Sequence, residues 1–337
     1  MRVVLALLAS ACSFHHGIAP GGSAGDDAGD DASDAGLPPD WWNPAWHARM
    51  PLTILDGAAL PLPAGYQVGF ALDLDAPPCL PGDRDQIRIV RAGSDLDRVI
   101  DEVGTAEWTW FPLQAAIAPG AMATDYWLYC DDPDPSPAPS DPTAVFDFYD
   151  GFDAATVDTS VWTVQNTVSV SDGLLVCGGG GLGDNGVVTK TRTFGANHAV
   201  DFIAISGTAT AADFWAGFQI GTMDVAPWLH WWTKDASSIC PDYLGVATDS
   251  PWYGTDVSLD TAPHLYGVEN YGDASAYRLA DAIVQSHVYA PMQPPPAQVD
   301  VRLWDGDATA IVSYDMVRVR QAVNPPPAVT VGPAESY

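Results

Sequence analysis

From Trp41 onward, apolar and polar residues alternate in short runs that are broken by Pro, Gly and Asp. A period of two over four to eight residues marks a half-buried strand, not a helix. The runs predict strands from Tyr66 to Leu74, Gln86 to Arg91, Ala106 to Pro112 and Asp125 to Cys130. After a Pro-rich interval the alternation resumes at Phe146, with Val164, Val168, Val170 and Leu174 separated by polar residues and a Ser171-Asp172-Gly173 turn. Further strands are predicted from Val187 to Phe194, Ala199 to Ser206, Phe214 to Ile220, Trp228 to Thr233, Tyr266 to Asn270, Tyr277 to Leu279, Val299 to Trp304 and Ala308 to Val319. The fold class is all-β, a small β-sandwich followed by a jelly-roll sandwich.

Composition supports this reading. Of the 337 residues only two are Lys, at 190 and 234, so long helical faces laced with Glu–Lys pairs cannot be built. The formal net charge is -30, from 43 acidic against 13 basic residues, which repels phosphate backbones and excludes nucleic acid as a partner. The segment 131–145, beginning DDPDPSPAPSDPT, reads as an extended spacer that holds two folded units apart, 41–130 and 146–337. Residues 12–40 contain almost no core-forming side chains and read as an acidic, disordered tether. Residues 1–11, MRVVLALLASA, have the basic start, short apolar run and small residues of an export signal.

Three stretches resemble known families. Small residues before Cys12 resemble a bacterial lipoprotein box, which implies a lipidated Cys12, attachment to a membrane through the lipid alone, and an outer-membrane or cell-surface location, with simple secretion as the alternative. The W-x3-W-x2-R spacing of Trp42, Trp46 and Arg49, with the later "DQIRI" and Trp-bearing strands, resembles the bacterial domain-of-unknown-function family 2341. The order F-x-D-G-F-D, D-T-S-x-W, V-S-V-S-D-G-L-L resembles the opening of concanavalin A-like lectin/glucanase jelly rolls, a fold that hosts lectins, glycosidases and adhesion modules.

Candidate chemistry in the second unit is aromatic. Trp215, Trp228, Trp231, Trp232, Trp252 and Tyr253 crowd one section, where flat rings can pack on the C–H faces of sugars while His230 and Asp235 orient hydroxyls. Trp231 and Trp232 are adjacent in a strand, so they point to opposite faces and one belongs to the core, as does Trp162. Trp42, Trp46 and Arg49 are expected to cap the first core. Glycosidases of this fold carry alternating carboxylates on one strand, and no Glu-x-Asp-x-Glu run exists here; only Glu269 among four Glu lies on a predicted strand of the second unit. The expectation is therefore a non-enzyme, a lectin-like module that recognises an extracellular or envelope polysaccharide. The alternatives are a glycoside hydrolase or polysaccharide lyase with Glu269 as its essential residue, and a purely structural adhesion protein.

Asp150 and Asp315 are expected to lie side by side on the opening and closing strands and to offer oxygens to a structural calcium, with an Arg318–Asp150 ion pair as the competing account. Cys79 and Cys130 in the first unit, Cys177 and Cys240 in the second, suggest one disulfide in each, although four cysteines allow three connectivities. Gly178 to Gly183 lacks the Lys that would follow a phosphate loop and reads as a connection between strands.

Overall fold

The computed structural model describes residues 40–336 apart from 73–78, 80–83, 104–105, 134, 179–183, 191–193, 208–213, 220–227, 236–237, 245–251, 254–256, 259–260, 281, 289–299 and 307–310. Cys12 and the acidic tether lie outside the described residues. In the first sandwich the strands are β1 (Ala48–Leu55), β2 (Gln67–Leu72), β3 (Arg88–Arg91), β4 (Ser94–Leu96), β5 (Val99–Val103), β6 (Ala106–Pro112) and β7 (Met122–Cys130). β1, β7, β3 and β4 form one antiparallel sheet and β2, β6 and β5 a second. Leu52, Ile54, Val68, Ile89, Phe111 and Leu128 fill the space between them, each on the inward phase of its strand. Gly69 sits opposite Trp110, and a Cβ there would stand 2.4 Å from Trp110 Cζ3, so only glycine lets that indole lie across β2.

The jelly roll follows. Its strands are β8 (Phe148–Asp150), β9 (Trp162–Gln165), β10 (Val168–Ser171), β11 (Leu174–Gly178), β12 (Asn185–Thr189), β13 (His198–Ser206), β14 (Phe214–Gln219), β15 (Trp228–Asp235), β16 (Ser238–Leu244), β17 (Trp252–Tyr253), β18 (Val257–Ser258), β19 (His264–Asn270), β20 (Ala274–Leu279), β21 (Ala282–Val288), β22 (Asp300–Asp305) and β23 (Ile311–Gln321). One sheet runs β10-β11-β23-β13-β19-β20-β21, with β8 also on β23; the other runs β17-β16-β15-β14-β22-β12-β9, with β18 on β16. Between them Phe202, Tyr266, Val268, Val317 and Val319 of the first sheet meet Ala216, Phe218, Leu229, Trp231, Val301 and Leu303 of the second. Trp162 joins this core, its Nε1 donating to Asp150 Oδ2.

Two features differ from the sequence reading. The chain does not end in the jelly roll: β24 (Ala328–Val331) and β25 (Glu335–Ser336) return to the first sandwich and pair with β1, Leu52 opposite Val331 and Arg49 opposite Glu335. Nor is 131–145 a spacer that keeps the units apart, because Trp41–Tyr337 form one compact unit. Asp141 caps a short helix, α1 (Pro142–Val145), and Val145 and Phe146 pack against Trp110. The reason is chemical complementarity: the jelly roll presents Arg318 to Asp101 of the first sandwich, and Gln67 of that sandwich accepts from Gln321 N while donating to Asp147 Oδ1.

Candidate functional site

The inward phase of β14, β15 and β22 is apolar, so the opposite phase faces away from the core. On that outward face Trp215 pairs in register with both Trp232 and Trp304. Three indoles therefore stand in one row across three adjacent strands, spanning about 10 Å at ~4.8 Å per strand. The next row is His230, Gly217 and Arg302. Gly217 has φ +149°, and a Cβ there would stand 2.2 Å from Leu229 O, so the middle of the second row is obligatorily bare.

Arg302 is the polar centre of this face. Its guanidinium lies 4.0 Å from the Trp304 ring centroid and 5.3 Å from that of Trp215, and donates to Gln219 Oε1. His230 is fully buried, and burial, reinforced by the charge of Arg302, drives its pKa well below the ordinary histidine value. It stands beside the arginine as a neutral ring. Exposure grades along the row: Trp304 is sealed, whereas Trp215 and Trp232 are half-buried. Such a face offers the half-open surfaces of Trp215 and Trp232, flat and apolar, to a polyhydroxylated ring, while Arg302, Gln219 and His230 are sealed beside them.

Of the aromatic residues expected from the sequence, the structure brings Trp215 and Trp232 together here. Trp231 is corrected to the core: it is fully buried, its centroid 5.1 Å from Tyr266, and its Nε1 donates to Gly267 O. Trp228 lies on β15 opposite Gln219, and Trp252 and Tyr253 on β17 opposite Tyr243 and Asp242; these three side chains, and that of Asp235, lie outside the described residues. Sequence reasoning missed Arg302, Gln219 and Trp304. Alternation within β22 puts 302 and 304 on one side, but only the long-range pairing of β22 with β14 brings them to Trp215.

Glu269 lies on the other sheet and faces the first sandwich. It accepts from Arg278 Nε and Arg320 Nη2, both at 2.9 Å, and from the Tyr271 hydroxyl. Asp201 accepts from Arg320 Nε at 2.9 Å and Arg318 Nε at 3.1 Å. Burial alone would raise both carboxyls; the arginines outweigh it, Arg320 foremost, and both pKa values fall below their ordinary values. Glu269 is thus ionised and ion-paired, and cannot serve as a proton donor at neutral pH.

The Arg318–Asp150 pair is corrected too: Arg318 pairs with Asp101 and Asp201. Asp150 instead accepts from Trp162 Nε1 at 2.6 Å and Phe152 N at 2.8 Å. Partial burial, then the charge of Asp153, raises the Asp315 carboxyl. Among the described residues no three His, Cys, Asp or Glu side chains converge as metal ligands. Cys79 and Cys130 form a disulfide across 51 residues, whereas Cys177 is a free thiol buried in the jelly-roll core. The expected second disulfide is corrected for Cys177, which is a free thiol; the Cys240 side chain lies outside the described residues.

Solved structures similar to the chain include glucanases. A β-1,3-glucanase from Mycobacterium marinum superposes with a TM-score of 0.41 at 15% identity, covering 52% of this chain and 98% of its own. The Bacillus licheniformis β-glucanase gives 0.39 at 13% identity, covering 52% and 97%. An immunostimulatory antigen and pseudo β-1,3-glucanase of Mycobacterium tuberculosis gives 0.41 at 13%, covering 52% and 99%. No protein-family model and no curated protein matches the chain, so the resemblance of its first sandwich to family 2341 rests on its residues alone. At these identities the likeness is one of fold, concanavalin A-like, over about half the chain. The expectation of a non-enzyme is corrected to this extent: glucanases and a pseudo-glucanase stand together among the similar structures.

Proposed function

We propose that this protein acts on a polysaccharide, its jelly roll working as a glycoside hydrolase of the lectin/glucanase fold with the glycan lying along Trp215 and Trp232, beside the sealed Trp304. The observation that carries the reading is that row of indoles, with Arg302 clamped between two of them. A sugar chain gains from a row graded in exposure: it stacks on the half-open Trp232 and Trp215, whose row is held by the sealed Arg302, lying against the Trp215 and Trp304 rings.

Hydrolysis needs two carboxyl groups about 5 Å apart for retention or ~6.5–9.5 Å for inversion. On this face β22 carries Asp300, and β16 places Asp242 opposite His230. Two strands separate β22 from β16, so these backbones stand ~14 Å apart at ~4.8 Å per strand, too far to form the pair by themselves. The same proposal puts the protein outside the cell, lipid-anchored at Cys12 in the outer membrane or cell surface and carried on its acidic tether, which the signal-like start MRVVLALLASA supports.

The test is reducing-end release from a panel of soluble β-glucans and mucin-type glycans, read beside Trp fluorescence, with and without calcium so that a role for Asp150 and Asp315 is scored in the same tubes. Saturable quenching with new reducing ends, lost in Trp232→Ala and in one Asp→Asn variant, is the expected result. Absence of both quenching and product across the panel overturns the reading.

A further inference from the structure

The positive charge of this chain lies mostly inside it. Of its 13 Lys and Arg residues, Arg49, Arg88, Arg98, Arg302, Arg318 and Arg320 are buried. Arg84, Arg91 and Arg278 are half-buried, and each is ion-paired, with Glu107, Asp125 and Glu269 in turn. Among the described residues that leaves Lys190 exposed, its Nζ donating to Thr159 O. Carboxylates are placed the other way. Asp141, Asp153, Asp158, Asp172, Asp184 and Asp273 all stand exposed, in a chain whose formal charge is -30. The surface that a polymer meets is thus more anionic than composition alone requires, because the cations that would offset it are turned inward.

The sheet of the indole row shares this bias. Asp158 precedes β9, Asp184 leads into β12, whose Gly186 continues the row beside Trp304, and β22 opens with Asp300. The segment 214–260, which contains β14 to β18, has six Asp against one Lys. The row's own cation, Arg302, is 1% exposed and lies against two rings, so it is closed to an anion arriving from solvent. Lys190 follows β12, two strands across from Trp215 and four positions along from the row, roughly 10 Å one way and ~13 Å the other. A sulfate or carboxylate on a glycan stacked on Trp215 and Trp232 therefore finds no cation at hand among the described residues and is repelled at longer range. Hydroxyls meet no such barrier, and a protonated amine is attracted.

We propose that the indole row is selective by charge, accepting neutral or amine-bearing polysaccharide and rejecting chains that carry sulfate or uronic carboxylate. The outward carboxylates and the sealed Arg302 do this sorting together. The inference rests on the polysaccharide reading of the row and narrows it to a substrate class.

The experiment is calorimetric titration of the full chain with one soluble β-1,3-glucan and one soluble β-1,4-glucan, each unmodified, carboxymethylated and aminated. Titrations are run at about 0.01 M NaCl, where the screening length of ~30 Å spans the sheet, and at about 1 M, where it is ~3 Å. At low salt an unmodified glucan is expected to bind saturably, its carboxymethylated form about tenfold or more weaker, and its aminated form at least as tightly. At high salt the three forms should converge to within about twofold. Trp232→Ala should remove binding of the unmodified and aminated forms alike. The proposal is overturned if the carboxymethylated form matches the unmodified one at low salt, if the gap persists at high salt, or if the aminated form binds Trp232→Ala undiminished. Binding of carboxymethylated forms alone overturns it while leaving the polysaccharide reading intact; no binding by any of the six forms removes both.

Discussion

The jelly roll turns two sheets outward, and they carry opposite chemistries. The sheet of β13, β19 and β23 bears Asp201, Glu269, Arg318 and Arg320, and it is covered by another sandwich. The sheet of β14, β15 and β22 bears a row of tryptophans, two of them half open. The more charged face is the one covered by a second sandwich, while on the other Arg302, Gln219 and Trp304 are sealed and Trp215 and Trp232 stay half open. This inverts the usual expectation that charge marks solvent and aromatic rings mark core. What decides is neutralisation: the carboxylates and guanidiniums pair with one another across strands, so the face can be closed, whereas on the other face Arg302 lies against the Trp304 and Trp215 rings.

The largest way to break the comparison is Arg320→Ala. It leaves Asp201 and Glu269 buried with one guanidinium fewer, and a loss of about 3–5 kcal/mol is expected in denaturant unfolding. A loss under 1 kcal/mol would show that the charged face is hydrated. Trp231→Ala should cost about 3–5 kcal/mol as a core truncation. Its neighbour Trp232→Ala should cost well under ~1 kcal/mol, as expected for a site away from the packed core, while removing the glycan response. Equal losses in the pair would erase the distinction between core phase and face phase.

Acid gives a graded probe. Asp201 and Glu269 have folded-state pKa values below their unfolded ones, so their stabilisation is fully present above the ordinary glutamate value of 4.5 and drains away as pH falls through the ordinary aspartate value of 3.8 and below. Urea midpoints should fall across that window, and Asp201→Asn with Glu269→Gln should flatten the slope. A midpoint that rises on acidification contradicts the pairing. Smallest is Glu335→Ala, which removes a 2.7 Å bridge to Arg49 from a carboxylate that is 46% exposed; a cost of at most ~1 kcal/mol is expected from the thermal midpoint.

Much of the fold was legible in single strands. The alternation from Phe214 to Ile220 and from Trp228 to Thr233 predicts β14 and β15, and the opposition of Trp231 and Trp232 follows from adjacency alone. Which of them faces the core depends on the partner sheet, and that is set by Tyr266 and Tyr277, more than thirty residues away. The same limit hid Arg302, whose place is decided by which strands become neighbours, not by local pattern. The Pro- and Asp-rich stretch misled for a related reason. Its composition is that of a spacer, yet Arg98 N donates to Pro139 O and Arg88 donates to Ser136 O, so long-range partners hold it down.

The return of β24 and β25 to β1 has a consequence for the order of events during synthesis. The strand beginning at Ala48 is flanked on one side by Met122–Cys130 and on the other by residues made almost three hundred positions later. Until Ala328–Val331 emerges, β1 is an open edge, able to template pairing with another chain. Contacts this distant close slowly. The first sandwich is thus begun early and finished last, and a product stopped before Ala328 would carry a complete jelly roll beside an unsealed, adhesive sheet.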